Sequence, residues 1–339
     1  MKVILATPFY HQLRGNTITV RRIAEGLSEA GIETEVISIT EQTDDLHSLK
    51  DADLIHGFNA YRFYQFMKTV STPITNYTIT LTGTDLNHDL QNIDRKQDVI
   101  TCLNESLAVH VFDEKAKEHV LEVLPEVESK LYVISQGTST SNKRAPLQHN
   151  HQDPFTFLLP AGIRKVKNVP FAIEALKQLR QTHPQVHLKL VGPIIESEEG
   201  EIVQQLVSEN REWVTYDGVI PHTEMQSLYS NADVVINTSH SEGQSSAVLE
   251  AMSHGLPVLV SSNKGNRSIV THDRTGFVYN GMESFQNLAL SLMEDFSLRQ
   301  ELGQNAVDYI ENHHSANSEI KAMIRMYEKS LTLNTLGGE

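Results

Sequence analysis

A chain of 339 residues is long for one hydrophobic core and comfortable for two of about 150 residues each. Its 39% hydrophobic and 21% charged residues are ordinary for a globular protein, while 28 basic against 43 acidic side chains give a formal charge of −15 that on average repels nucleic acid and anionic bilayers. The single cysteine, Cys102, excludes an internal disulfide framework and a cysteine-rich metal site, and suits a reducing cytoplasm.

In chain order, apolar runs alternate with helical patterns, as in parallel sheets with crossover helices. The opening MKVILATPF is too short for a signal or membrane segment, so it predicts a first buried strand, Val3 to Ala6, with no export and no membrane insertion. Gly15 and Asn16 then precede a helix starting near Thr17, with Val20, Ile23, Ala24 and Leu27 at helical spacing. No G-x-G-x-x-G follows the first strand, which argues against a nicotinamide dehydrogenase. Further strands are predicted at Thr34 to Ile39, Leu54 to His56, Ile74 to Thr80, Ala108 to Phe112 and Leu131 to Ile134. Asp51-Ala52-Asp53 reads as a turn rather than a metal-binding pair. The aromatic helix Tyr61 to Val70 reads as core packing, because its only basic residues are Arg62 and Lys68 and a membrane face needs more. That favours a small soluble partner over a lipid.

The polar run Thr138 to Asp153 is the best linker. A second series of strands follows at Thr156 to Leu159, His187 to Val191, Val214 to Tyr216, Val234 to Asn237 and Pro257 to Ser261, and the tail Ser315 to Leu331 reads as a helix. His313 and His314 read as surface, with no third metal ligand at recognisable spacing.

The most informative stretch is Val234 to Gly255, VVINTSHSEGQSSAVLEAMSHG. A β-branched run stops at Asn237-Thr238-Ser239, and an apolar helical pattern begins after Ser245. Strand, loop and helix start form an anion site: free N–H groups and the positive helix end around Ser245, Ser246, Ala247 and Val248 hold a phosphate without a basic side chain. Glu242 lies before that helix and Glu250 within it, eight positions on. A carboxylate one turn below the phosphates is well placed to accept hydrogen bonds from two neighbouring sugar hydroxyls.

The run SEGQSSAVLEAMSHGLPVLVSSNKGNRSIVTHDRTGFVYN resembles the C-terminal signature of GT4 retaining glycosyltransferases, and the phrases GTDLN at 83–87, SQG at 135–137 and GIRKVKN at 162–168 are shared as well. Within that family the chain is most similar to the glycosyltransferase 1 domain-containing group. The resemblance implies the GT-B architecture: an α/β protein of two Rossmann-like domains with parallel sheets facing across a cleft, at 1–145 and 146–315, and a C-terminal helix, 316–339, crossing back to the first domain. It implies a cytoplasmic transferase moving a sugar from a nucleotide diphosphate sugar, UDP- or GDP-linked, to an acceptor hydroxyl with no bound metal or other cofactor. Oligomeric state stays open, and so do two rival activities, a nucleotide-sugar epimerase of the same fold and a non-catalytic sugar-nucleotide sensor.

Residue by residue, the resemblance implies that Arg164 and Lys167 neutralise the departing diphosphate, with Lys165 a bystander, although Ile163 separates Gly162 from Arg164 where the family has Gly-Arg adjacent. Glu242 takes the sugar hydroxyls and Glu250 the ribose diol. Gly15, Asn16, Gly243, Ser245, Ser246 and Ala247 approach the diphosphate or sugar, while Gly192, Val219 and Ile220 meet base and ribose. Gly265 and Asn266 resemble the loop that meets the donor sugar, with Ser268 where relatives often have glutamate. On the acceptor side stand His56, Thr82, Thr84 and Asp85. Many relatives carry a histidine where this chain has Thr82. If the backbone carbonyl there is all that is needed to stabilise positive charge on the sugar ring, threonine serves, with Asp85 offering an acceptor to a sugar or acceptor hydroxyl; if the imidazole is needed, the protein binds donor without transfer. Retention in such enzymes needs no carboxylate nucleophile, since the leaving phosphate itself takes the acceptor's proton.

Overall fold

The structure is a computed structural model and describes residues 1–12, 15–41, 46–138 and 154–336. The chain divides into two compact units, residues 1–137 with 314–339, and residues 138–313. Of the predicted linker only Thr138 lies within the described residues. The domain boundary expected at 145/146 lies outside them.

The first unit holds β1 (Lys2–Thr7), α1 (Gly15–Glu29), β2 (Glu33–Ser38), β3 (Leu54–Phe58), α2 (Ala60–Met67), β4 (Tyr77–Thr80), α3 (Gly83–Asn87), α4 (Lys96–Glu105), β5 (Ala108–Val111), α5 (Glu114–Val123) and β6 (Leu131–Val133). All six strands are parallel, in the order β2-β1-β3-β4-β5-β6. Residues alternate across a strand, so β1 sends Ile4 and Ala6 into a core with Ile55, Phe63, Tyr77 and Ile79, and Val3 and Leu5 into a second core with Val20, Ile23, Leu27 and Phe58. β4 begins at Tyr77 rather than at Ile74: Tyr77 pairs with Ile55 and β3 starts only one residue earlier, so strand pairing ends there, with the Asn76 carbonyl accepting a last bond from the Ile55 N–H at 3.0 Å. Phe63 and Phe66 of α2 are buried, as core packing requires.

The second unit holds β7 (Phe155–Pro160), α6 (Val169–Arg180), β8 (Val186–Val191), α7 (Ser197–Glu209), β9 (Val214–Tyr216), α8 (His222–Ser230), β10 (Val234–Asn237), α9 (Ser246–Ser253), β11 (Val258–Ser261), α10 (Asn266–Ile269), β12 (Phe277–Tyr279), α11 (Met282–Glu294) and α12 (Phe296–His313). Its parallel sheet runs β12-β11-β10-β7-β8-β9, the doubly wound order of dinucleotide-binding folds. The three-residue β12 was not expected from the sequence; it forms where Phe277 to Tyr279 pair with Leu259 to Ser261 of β11.

The tail forms α13 (Ala316–Leu336) and belongs to the first unit, where Met323, Met326 and Tyr327 enter the core under α1. Arg22 of α1 grips Glu319 of α13 with two hydrogen bonds, Nε to Oε2 at 3.0 Å and NH2 to Oε1 at 2.9 Å. The Glu319 side chain is fully buried, and loss of one partner from such a pair costs about 3–5 kcal/mol. His314 corrects the surface reading of the histidine pair: it is 2% exposed, and its Nδ1 donates to the Gln136 carbonyl at 2.7 Å, whereas His313 is exposed.

Candidate functional site

In the second unit the strand order reverses between β7 and β10, so the loops leaving their carboxyl ends diverge and open a crevice. Two bonds join those loops: Thr238 Oγ1 donates to the Lys167 carbonyl at 2.8 Å, and the His240 N–H to the Val166 carbonyl at 2.9 Å. Within this frame Lys167 Nζ donates to Glu242 Oε1 at 2.5 Å, and the same oxygen accepts from Ser239 Oγ at 2.6 Å and Asn237 Nδ2 at 3.0 Å. Burial raises the Glu242 pKa, but Lys167 and these hydrogen bonds outweigh it and hold the carboxyl below the ordinary glutamate value.

Asn237, the last residue of β10, organises the floor. Its Oδ1 accepts from Asn266 Nδ2 at 3.0 Å and from the Ser239 N–H at 3.1 Å. Gly265 allows this closeness, since a Cβ there would stand 1.8 Å from the Gly243 carbonyl oxygen. Three buried side-chain atoms around the crevice have no hydrogen-bond partner among the described residues: Arg164 Nε after β7, Gln244 Oε1 after β10 and Asn266 Oδ1 after β11. One is a donor and two are acceptors. An unpaired buried polar group costs about 1–3 kcal/mol, so the set matches a ligand with an anionic end and hydroxyls. Gln244, which also donates to Ser268 Oγ at 3.3 Å, was missed from the sequence because an orphaned atom has no signature there.

α9 starts beside the crevice with Ser245 buried at its N-cap position, no side-chain cap and no acidic residue in its first turn, and Ser246 and Ala247 are partly exposed. Its positive end therefore lies where Gly243 and Ser245 were expected to meet a diphosphate. One turn on, Glu250 is half-buried and Oε2 accepts from Tyr229 Oη at 2.9 Å. Tyr229, 2% exposed, is a second residue the sequence reading missed; it sits on α8, and only the fold brings it to Glu250. The ends of β8 and β9 are laced by the Gly192 N–H to the Gly218 carbonyl at 2.7 Å and Tyr216 Oη to the Gly192 carbonyl at 2.8 Å. Gly192 has φ +137°, and a Cβ would come within 2.2 Å of the Ala161 carbonyl oxygen. Beyond them Val219 and Ile194 are 51% and 39% exposed, with Ile220 partly buried, an apolar shelf of the kind a planar base covers.

The first unit has its own reversal, between β1 and β3. Gly15 opens α1 in open space, with nothing within 4 Å of a Cβ placed there, and Asn16 is partly exposed. Thr17 ties the preceding loop by donating to the Gln12 carbonyl at 2.8 Å. Asp85 faces inward: it is fully buried, Oδ2 accepts from the Ala60 N–H at 2.9 Å and Oδ1 from Thr82 Oγ1 at 2.9 Å. Burial pushes its pKa up to about 7 against those bonds. Thr82 is 6% exposed and Thr84 exposed.

His56 also faces inward, with no exposed surface, Nδ1 2.6 Å from Tyr327 Oη and Nε2 2.6 Å from Thr80 Oγ1. The chain continues from Thr80 Oγ1 to His110 Nδ1 at 2.8 Å and from His110 Nε2 to the Ile134 carbonyl at 2.9 Å. Because a carbonyl only accepts, His110 carries its proton on Nε2, and the order of donors then runs back through Thr80 and His56 to Tyr327. Burial lowers the pKa of both histidines and keeps them neutral. In the 51–53 turn Asp53 Oδ2 accepts the Lys2 N–H at 2.7 Å. Among the described residues no cluster of three His, Cys, Asp or Glu side chains is arranged to hold a metal ion, and no helix is long and apolar enough to cross a membrane.

Residues 140–308 match the family described as Glycosyl transferases group 1. Over 320 residues the chain is 27% identical to the Glycosyltransferase 1 domain-containing protein 1 of Xenopus tropicalis, spanning 89% of this chain and 90% of that protein. Among solved structures, Anabaena HepE in complex with UDP and glucose superposes with a TM-score of 0.78 at 16% identity, over 96% of this chain and 99% of HepE. Sucrose-phosphate synthase of Thermosynechococcus elongatus gives 0.78 at 18% identity, over 98% and 100%. These likenesses establish a fold shared with GT-B glycosyltransferases.

Proposed function

We propose, from the Glycosyl transferases group 1 match at residues 140–308, that the chain is a retaining, metal-independent, cytoplasmic glycosyltransferase using a nucleotide diphosphate sugar. The observation that carries the reading is Arg164's buried Nε–H, without a hydrogen-bond partner among the described residues, in the loop that also presents Lys167 to Glu242.

In this reading the diphosphate rests on the first turn of α9, along Gly243, Ser245, Ser246 and Ala247, where the helix end favours negative charge. Gly192, Val219 and Ile220 support the base, with Ile194 added to that surface, and Glu250, oriented by Tyr229, takes the ribose hydroxyls. Gln244, Asn266 and Glu242 meet the transferred sugar. As the bond from sugar carbon to phosphate oxygen breaks, negative charge grows on that oxygen, and Arg164 and Lys167 are already in place to meet it. Glu242 keeps Lys167 extended toward the crevice. The acceptor hydroxyl gives its proton to the leaving phosphate on the same face, so no carboxylate nucleophile is called for.

HepE is described with bound UDP, which supports a uridine donor here. On the first unit Gly15, Asn16 and Thr84 are left as ligand-facing positions. Asp85 and Thr82 act by holding the loop after β4 against the start of α2, and His56, with no exposed atom, is left out of the acceptor side. The test is incubation with UDP- and GDP-sugars, with and without cell-extract acceptors. Acceptor-dependent release of nucleoside diphosphate is expected. Interconversion of donor sugars without an acceptor marks an epimerase, and binding without turnover a sensor.

A further inference from the structure

The first unit carries an arginine, Arg62, that no carboxylate contacts among the described residues. Arg62 lies in the first turn of α2, at the carboxyl end of β3, and its guanidinium sits over the Phe9 ring at 4.7 Å from the centroid. Phe9 follows β1, so the pair spans the reversal between β1 and β3, where ligands bind in sheets of this type. The Arg62 side chain makes no hydrogen bond or ion pair with any described residue. Its backbone N–H is taken by the capping Asn59. Beside it Arg95 sits over the Tyr61 ring at 4.9 Å and donates from NH1 to Asp89 Oδ1 at 2.8 Å. Asp89 attracts Arg62 as well and Arg95 repels it, but the carboxylate's contact is with Arg95.

A guanidinium held over an aromatic ring is already partly ordered, and its planar fork of N–H donors is free to meet a ligand at its edge. That is the arrangement for planar, bidentate recognition of an oxyanion. Burial also disfavours the charged guanidinium of Arg62, a cost that an anion would offset.

We propose that Arg62, seated on Phe9 and flanked by Arg95, binds a phosphate monoester on the acceptor, so that the acceptor is a small phosphorylated alcohol. This rests on the reading that the protein transfers a sugar to an acceptor. The formal charge of −15 opposes approach to an anionic bilayer, which places the phosphate on a soluble molecule rather than a lipid headgroup.

The test uses the full-length protein saturated with UDP, which occupies the donor phosphate site, titrated calorimetrically with glucose 6-phosphate and glycerol 3-phosphate and, in parallel, with glucose and glycerol. At least one phosphate monoester is expected to bind and the parent alcohols to bind at least ~10-fold more weakly, as charge-assisted hydrogen bonds imply. Arg62→Gln, which keeps the stem against Phe9, is expected to lose ~10-fold or more in that affinity with UDP binding unchanged. Asp89→Asn, which removes the competing carboxylate, is expected to bind the phosphate at least as tightly as wild type. Equal phosphate affinity in wild type and Arg62→Gln overturns the assignment, as does a UDP-binding wild type that takes no phosphate monoester. Arg62-dependent binding to phosphatidylglycerol vesicles without binding to the soluble esters overturns the soluble acceptor. If UDP itself does not bind, the donor reading fails separately, and the phosphate titration still reports on Arg62.

Discussion

Lys167 Nζ lies 2.5 Å from Glu242 Oε1 across the two loops that leave β7 and β10, with the side chains 15% and 9% exposed. The pair is buried enough that each partner depends on the other. A cation that must be ready when charge appears on a leaving group is thereby held in one place by the carboxylate across from it.

Lys167→Met should therefore do two separable things. It lowers the melting temperature, because the buried Glu242 carboxylate loses its lysine, and breaking a buried pair costs about 3–5 kcal/mol. It also lowers kcat by ~100-fold or more, as for a principal transition-state donor. Lys167→Met with Glu242→Gln should recover most of the melting temperature and none of the turnover. Recovery of both together would reduce the pair to a structural tie.

Acid should act through the same pair. The folded-state pKa of Glu242 is depressed, so its contribution to stability is present above the unfolded value and lost as pH falls through the folded one. The loss thus falls below the ordinary glutamate pKa of 4.5. Comparing wild type with Glu242→Gln in melts from neutral pH down to acid, the wild-type advantage should shrink only below that point.

Asp85 predicts the opposite slope in the other unit. Its folded pKa is raised from 3.8 to about 7, so the folded state binds the extra proton and stability falls as pH rises through that interval. Asp85→Asn, whose amide can accept from Ala60 and donate to Thr82, should gain on wild type between pH 5 and pH 8. A constant difference in melting temperature across that range would show that the buried carboxyl is not protonated.

Glu250→Ala should weaken nucleoside diphosphate binding by about 1.5–3 kcal/mol, the range for hydrogen bonds to a charged group, with Tyr229→Phe weakening it less because the carboxylate remains and only its orientation is loosened. Calorimetry with UDP reads both. An unchanged affinity in Glu250→Ala removes the ribose role.

Two glycines should respond in contrary ways. Gly192→Ala should be strongly destabilising, since φ is +137° and the new Cβ would meet the Ala161 carbonyl oxygen at 2.2 Å. Gly15→Ala meets nothing within 4 Å at the start of a helix, so the fold should be unharmed or slightly more stable. A fall in donor turnover in that variant would mark close approach of a ligand to Gly15. Full turnover would make it a turn residue only.

The β-branched run Val234 to Ile236, the helical pattern after Ser245 and the spacing of Glu242 and Glu250 are local properties of the chain, so they announced the crevice loops of the second unit before any contact was known. Periodicity likewise placed eleven of the strands, because each carries its apolar pattern within itself. Partners were another matter. β12 is a strand because Leu259 to Ser261 lie beside it to pair, and Glu242 is an ion pair because Lys167, 75 positions earlier, is folded back onto it. His56 shows the limit most plainly. The sequence puts it at the end of a strand, where a side chain points to one face or the other. Whether that face is open or covered depends on Tyr327, which arrives 271 residues later on α13 and takes the ring's Nδ1. Burial and pairing are set by what the rest of the chain brings to a residue, so only the tertiary structure decided them.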